Sequence, residues 1–164
     1  PQKGADAEMV KRLDVGMCAL AKVIENKYNV NVVPVAGAGA AGGMGGAFYA
    51  FLHATLKKGI DMVLDAIDFD TTIQGANLVV TGEGKVDFQT AKGKTAAGVL
   101  ARAKQQHIPV IAIGGCVEMC DSLKQMVFAG IYPILEEKVP LEVAMQRDFA
   151  MSNVTKTLAR VLRK

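Results

Sequence analysis

The segment TGEGKVDFQTAKGKT, residues 81–95, sets two carboxylates, Glu83 and Asp87, beside Lys94 in a run holding three glycines. Glycine backbone approaches a ligand closely, and a lysine at a helix start can pair with phosphate. The ending Gly93-Lys94-Thr95 matches the close of a phosphate-binding P-loop, but that motif needs glycine at position 88, where Phe88 stands. The P-loop test therefore fails, while the chemistry remains suggestive. Gly82 and Gly84 are expected to turn N–H groups toward a ligand. Glu83 and Asp87 repel phosphate, so their expected partners are Mg²⁺ bridging phosphates, or the proton of an attacking hydroxyl. The alternative is that both are solvated loop carboxylates.

A second glycine run, AGAGAAGGMGGA at 36–47, contains the spacing Gly37-x-Gly39-x-x-Gly42, with Gly43, Gly45 and Gly46 beyond it. After a strand and before a helix this spacing suggests a dinucleotide site, which also needs an acidic residue about 20 positions on, closing a second strand. Asp61 and Asp65 stand near that distance, but neither clearly ends a strand. Close packing, in which only Gly and Ala fit, and an anion- or substrate-binding loop of another type stay open. His53 reads as a boundary residue and His107 as a helix C-terminal cap. Cys116 and Cys120 have no second pair to complete a zinc site.

These residues need elements to hold them. Apolar residues at Met9, Leu13, Met17, Leu20 and Ile24 predict a helix over 6–27, with Asp6 as N-cap. NVNVVPV (29–35) reads as a short strand, FYAFLHATLKK (48–58) as a helix, and GIDMVLDAI (59–67) as strand entering helix. The second half is more regular. A strand at 77–80, a glycine loop and a helix over 94–106 lead to a strand at 109–113 ending in Gly114-Gly115. A short helix at 121–128, a strand at 131–135 and a helix from 141 follow, with Arg160, Arg163 and Lys164 in its last turns. Fully apolar strands separated by helices argue for an α/β fold, a parallel sheet with helices on both faces. In such a sheet ligands sit beyond the carboxyl ends of the strands, where the glycine segments are expected.

Composition narrows the class. With 51% hydrophobic residues, 5% aromatics and no Trp, the chain suits close-packed α/β layers. A net charge of +3, without a basic stripe, points away from nucleic acid. Three cysteines make no disulfide framework and suit reduced thiols in the cytoplasm. No apolar run approaches the roughly 20 residues a membrane helix needs. The chain opens on Pro1, and a processed, cloned or cleaved piece is the expectation.

The motifs taken in order, PQKGA (1–5), GAGAAGGMGGA (37–47), MVLDAI (62–67), NLVVTGEGKVDFQTAKGKTAAGV (77–99) and PVIAIGG (109–115), resemble the bacterial glycerate kinases, which phosphorylate D-glycerate with ATP. The resemblance is collinear over essentially the whole chain. It implies residues 1–75 as the end of an inserted α/β domain and 76–164 as the end of a Rossmann-like domain. It further implies ATP and Mg²⁺, and an upstream part of the same enzyme whose Asp-Ser-Phe-Lys-Gly-type motif completes the cleft, so that this chain alone is expected not to turn over. Oligomeric state is left open.

Carried over by position, the site candidates are Gly37, Gly39, Gly42, Gly43, Gly82, Glu83, Gly84, Asp87 and Lys94. Asp87 is the first choice for metal or hydroxyl and Glu83 the second. The 37–46 loop or Lys3 is expected to meet the glycerate carboxylate. Ala36, where the family often has Pro, and Phe88, where it often has Gly, depart from the pattern; Phe88 puts close backbone approach at that position in doubt. A dinucleotide-binding oxidoreductase domain and a non-catalytic fragment are the rival readings.

Overall fold

The computed structural model describes residues 4–137 and 139–163, and the chain divides into two compact units between Lys58 and Gly59. Lys3 and Lys164, named above, lie outside the described residues.

The first unit holds two helices. Helix α1 (Ala7–Tyr28) starts at Asp6, whose Oδ1 accepts the Met9 N–H at 2.7 Å, and ends at Asn29 in the left-handed region. The expected strand at 29–35 is instead a turn. Asn31 Oδ1 accepts the Val33 N–H at 2.9 Å, a local bond that competes with strand pairing. Val35 N–H then closes on Val32 O at 3.2 Å. Helix α2 (Ala40–Leu52) begins before the expected 48 and stops at His53, which turns left-handed at φ 53°. Ile24, Val32 and Ala50 form the buried core of this unit.

The second unit is a parallel sheet of three strands in the order β1 (Val79–Val86), β2 (Val110–Val117), β3 (Gly130–Pro133), with helices around it. Helix α5 (Thr95–Gln105) makes the crossover from β1 to β2 and buries Ala96, Val99, Leu100 and Ala103. Both glycine segments of this unit differ from expectation. Gly82 and Gly84 lie within β1, and Gly114 and Gly115 within β2, so the strands run on where loops were anticipated. The reason is steric. A Cβ on Gly115 would stand 2.7 Å from Gly84 O, and one on Gly82 would stand 3.1 Å from Ile113 Cγ1. Glycine here admits the neighbouring strand, a use that local sequence shares with loops.

Residues 59–75 pack with this sheet. Helix α3 (Gly59–Ala66) replaces the anticipated strand-to-helix entry, and α4 (Phe69–Thr72) follows. Leu64, Phe69 and Ile73 join Val79, Val99 and Val110 in one core, which places the division before Gly59 instead of near 75. Two devices fix the packing. A Cβ on Gly98 would stand 2.4 Å from Ile60 Cγ1, so glycine lets α3 close on α5. Gly98→Val is expected to cost about 2–3 kcal/mol through overpacking. Ile60→Ala in the same protein should recover most of it, read as urea midpoints; an unmoved midpoint in the single variant contradicts the close contact.

The second device is Arg102, whose Nε donates to Asp70 Oδ1 at 2.9 Å and whose Nη1 donates to Asp65 Oδ1 at 2.8 Å. Its guanidinium holds the Asp70 carboxyl below the ordinary aspartate range, chiefly by hydrogen bonding. A depressed carboxylate contributes stability above its unfolded pKa and loses it as pH falls through the folded value. Stability should therefore decline as pH drops below about 4. Arg102→Met should flatten that acid limb in pH-dependent denaturation, and an unchanged slope would remove the clamp from the account.

The remaining elements are shorter than expected. Helix α6 covers Asp121–Lys124. The single terminal helix is two, α7 (Leu141–Ala144) and α8 (Arg147–Val161), parted at Gln146, whose backbone is extended. No helix among the described residues is long and apolar enough to cross a membrane.

Candidate active site

The carboxyl end of β1 gathers Glu83, Asp87 and Lys94 into one hydrogen-bonded network, through two residues the sequence did not single out. Thr90 is fully buried in a short 3₁₀ turn (Thr90–Lys92). Its hydroxyl donates to Glu83 Oε2 at 2.9 Å and accepts the Asp87 N–H at 3.3 Å. Gln89 donates its N–H to Asp87 Oδ1 at 2.8 Å, and its side-chain oxygen accepts from Lys94 Nζ at 2.7 Å. The first of these is an aspartate bonding the backbone two residues on, a turn that Asp-x-Gln spacing permits. Thr90 carried no such signal.

Glu83 has a task other than the expected one. Its second oxygen, Oε1, accepts the Ala96 N–H at 3.0 Å, and Ala96 is the second residue of α5. Lys94 occupies the N-cap position there and makes no side-chain cap. Glu83 thus caps α5 from the neighbouring strand, a place favoured by both the orphan N–H groups and the helix dipole. Each of its oxygens is engaged by one hydrogen bond.

Asp87 is different. It is 7% exposed and follows directly on β1 at the edge where parallel sheets take ligands. Its Oδ2 lies 3.6 Å from Lys85 Nζ, an ion-pair distance longer than a hydrogen bond, while Lys85 bonds Glu118 Oε1 at 2.8 Å. That bond to Glu118 is the main reason the Lys85 ammonium holds its proton above the ordinary lysine range. Mg²⁺ commonly takes one or two protein carboxylates, the rest of its shell being water and phosphate oxygens. Asp87 fits that demand by its position and its less committed Oδ2. A cleft of about 350 Å³ beside the network is lined by Ile60, Val63, Glu83, Gly93, Lys94 and Thr95. Phe88 stands half exposed, with Lys92 Nζ 5.1 Å from its ring centre.

The first unit's glycines divide into two kinds. Gly37, Gly42 and Gly43 have φ of 91°, 70° and 93°, the left-handed region that favours glycine. Gly45 is a packing residue, since a Cβ there would lie 2.2 Å from Gly37 O, and Gly46 N–H bonds Ala38 O at 2.8 Å. Gly39 sits 3.5 Å, by its built Cβ, from Met17 Cε. No strand precedes Gly37 among the described residues, so the G-x-G-x-x-G spacing lacks the strand–turn–helix context of a dinucleotide site. His107, at φ 58°, ends α5 with its N–H on Lys104 O at 3.1 Å, as a C-terminal cap should.

Comparison with known proteins adds to this geometry. The Glycerate kinase family matches residues 1–164. A glycerate kinase from Bacillus cereus (strain ATCC 10987 / NRS 248) is 53% identical over 116 residues, 71% of this chain and 30% of its own length. One from Haemophilus influenzae (strain ATCC 51907 / DSM 11121 / KW20 / Rd) is 39% identical, covering 99% of this chain and 43% of its own. The crystal structure of a candidate glycerate kinase 2 from Salmonella typhimurium LT2 superposes with a TM-score of 0.64 at 36% identity, over 100% of this chain and 44% of that one. The chain thus spans less than half the length of these relatives.

Proposed function

The chain belongs to the glycerate kinase family, and from that premise we propose that the intact protein transfers the γ-phosphoryl group of ATP to a hydroxyl of D-glycerate. The observation that supports the reading best is a nearly buried carboxylate, Asp87, at the carboxyl end of β1, networked through Gln89 to Lys94, which lines an open cleft together with Glu83. In this reading the substrate hydroxyl oxygen bonds the γ-phosphorus, the bond to the β-phosphate oxygen breaks, and ADP leaves. The hydroxyl proton passes to Asp87 Oδ2 or, with Mg²⁺ held at that oxygen, to water. Such transfer is mostly positioning and charge neutralisation. Mg²⁺ bound with the nucleotide would neutralise phosphate charge, with Asp87 the first and Glu83 the second candidate carboxylate to hold it. Glu83 and Thr90 hold the turn that carries Asp87, and Lys94 faces the phosphates.

The 37–46 segment, with its left-handed glycines, is the candidate for the glycerate carboxylate, together with Gly82 and Gly84 near the phosphates. We read the first unit as the end of an inserted domain and the second as the end of a Rossmann-like domain, with an upstream part of the same protein completing the cleft. The three free cysteines suit a reducing cytoplasm.

Lys94→Ala in the intact protein should raise the KM for ATP about tenfold, the scale of a lost charge-assisted contact to phosphate. Unchanged kinetics would remove Lys94 from the site. The reading itself is tested by titrating the intact protein with Mg-ATP and with NADH. Binding of ATP without NADH supports a kinase; NADH without ATP would sink it in favour of a dinucleotide-dependent oxidoreductase.

A further inference from the structure

A second cavity opens at the carboxyl end of β3, about 320 Å³ in size, lined in part by Ile134, Val139, Phe149, Asn153, Lys156 and Thr157. Because β3 runs parallel to β1, its carboxyl end lies on the same edge of the sheet as Asp87. Pro133, at the end of β3, stands in register with Glu83 two strand spacings or about 10 Å across the sheet, and Asp87 lies four residues beyond Glu83, about 13 Å further along the strand direction.

Thr157 is the informative residue. Threonine hydroxyls in helices usually bond the carbonyl one turn back. Thr155 does so, to Met151 O at 2.9 Å, and so does Thr72, to Asp68 O at 2.9 Å. Thr157 is only 4% exposed, yet its hydroxyl makes no hydrogen bond among the described residues. No described side-chain oxygen or nitrogen is sealed from solvent without a partner, so this hydroxyl keeps some access to solvent, and Thr157 lines the cavity. Asn153 sits one turn earlier. It commits an amide hydrogen to Phe149 O at 2.9 Å, which leaves its carbonyl oxygen as an acceptor.

We infer that this cavity seats the base of the nucleotide, and that its polar pair selects adenine; the inference rests on the kinase reading above. Adenine offers an exocyclic amino group to Asn153 Oδ1 and a ring nitrogen to the Thr157 hydroxyl. Phe149, Ile134 and Val139 supply the apolar walls such a ring needs. Guanine would set a carbonyl oxygen against Asn153 Oδ1, two acceptors without a hydrogen between them. Lys156, which has no ion pair among the described residues, is available to the ribose or phosphates. Arg160, bonded to Glu136 Oε1 at 3.2 Å, closes one side.

The test is calorimetric titration of the intact protein with ADP and with GDP, without glycerate. Wild type should bind ADP at least about tenfold tighter than GDP, the scale of one unmade hydrogen bond in a desolvated site. Thr157→Val should weaken ADP by about tenfold and leave Thr157→Ser near wild type, with melting temperatures confirming that both fold. ADP binding unchanged in a folded Thr157→Val overturns the inference and leaves the kinase reading standing. If that variant does not fold, equal affinities of wild type for ADP and GDP overturn it instead. Failure of wild type to bind ADP at all removes the kinase reading, and this site with it.

Discussion

Asp87→Asn in the intact protein is expected to lower kcat by at least about 100-fold, the scale of an essential acid–base or metal-holding group. Asparagine keeps Oδ1, and with it the bond from the Gln89 N–H that shapes the turn. What it loses is charge on the oxygen that faces Lys85 at 3.6 Å, and with it the capacity to accept a proton or hold a cation. The fold should therefore stay close to wild type in urea while turnover collapses. Nucleotide affinity should fall far less than kcat, because the cavity proposed for the base lies two strands away. Near-normal turnover would return Asp87 to a structural carboxylate.

Glu83→Ala should fail in a different way. It leaves the Ala96 N–H at the head of α5 and the buried Thr90 hydroxyl without acceptors. A lost helix cap costs about 1 kcal/mol and an unsatisfied buried group about 1–3 kcal/mol. The unfolding free energy should thus drop by about 2–4 kcal/mol, read from urea midpoints. Glu83→Gln keeps an acceptor for Ala96 and should recover most of that stability, with turnover within a few-fold of wild type. A Glu83→Gln protein of full stability whose Mg²⁺-dependent turnover disappears would instead make Glu83 a metal ligand. The two carboxylates of one short segment thus separate by which property each substitution destroys.

Much of the fold could be read from the sequence, for local reasons. The spacing of Met9, Leu13, Met17 and Leu20 and the cap at Asp6 are properties of one helix, and α1 follows them. The apolar strands with helices between them gave a parallel sheet. Misreadings arose where a residue answers to a distant partner. Gly82 and Gly115 look like loop residues because their reason, a neighbouring strand at Ile113 and at Gly84 O, lies elsewhere in the sheet. Gly98 shows nothing of Ile60, and Arg102 nothing of Asp65 and Asp70. The strand expected at 29–35 fell to a short-range competitor, the Asn31 side chain.

The candidate site was legible in the same measure. Residue types and a recognisable order brought out Glu83, Asp87 and Lys94, and all three share one network. Their division of labour was not legible. Glu83 caps a helix 13 residues further on, a pairing that no capping motif spans. Thr90 joins the two acidic residues from within a turn whose sequence, Gln89-Thr90-Ala91, has no distinguishing pattern. Burial, not residue type, marks it out.

The most direct test of the account is a coupled assay of ADP release by the intact protein, with and without D-glycerate, for wild type and Asp87→Asn. The account predicts ADP release that depends on glycerate in the wild type and is lost by at least about 100-fold in the variant. Release indifferent to glycerate, or equal in the two proteins, would contradict it.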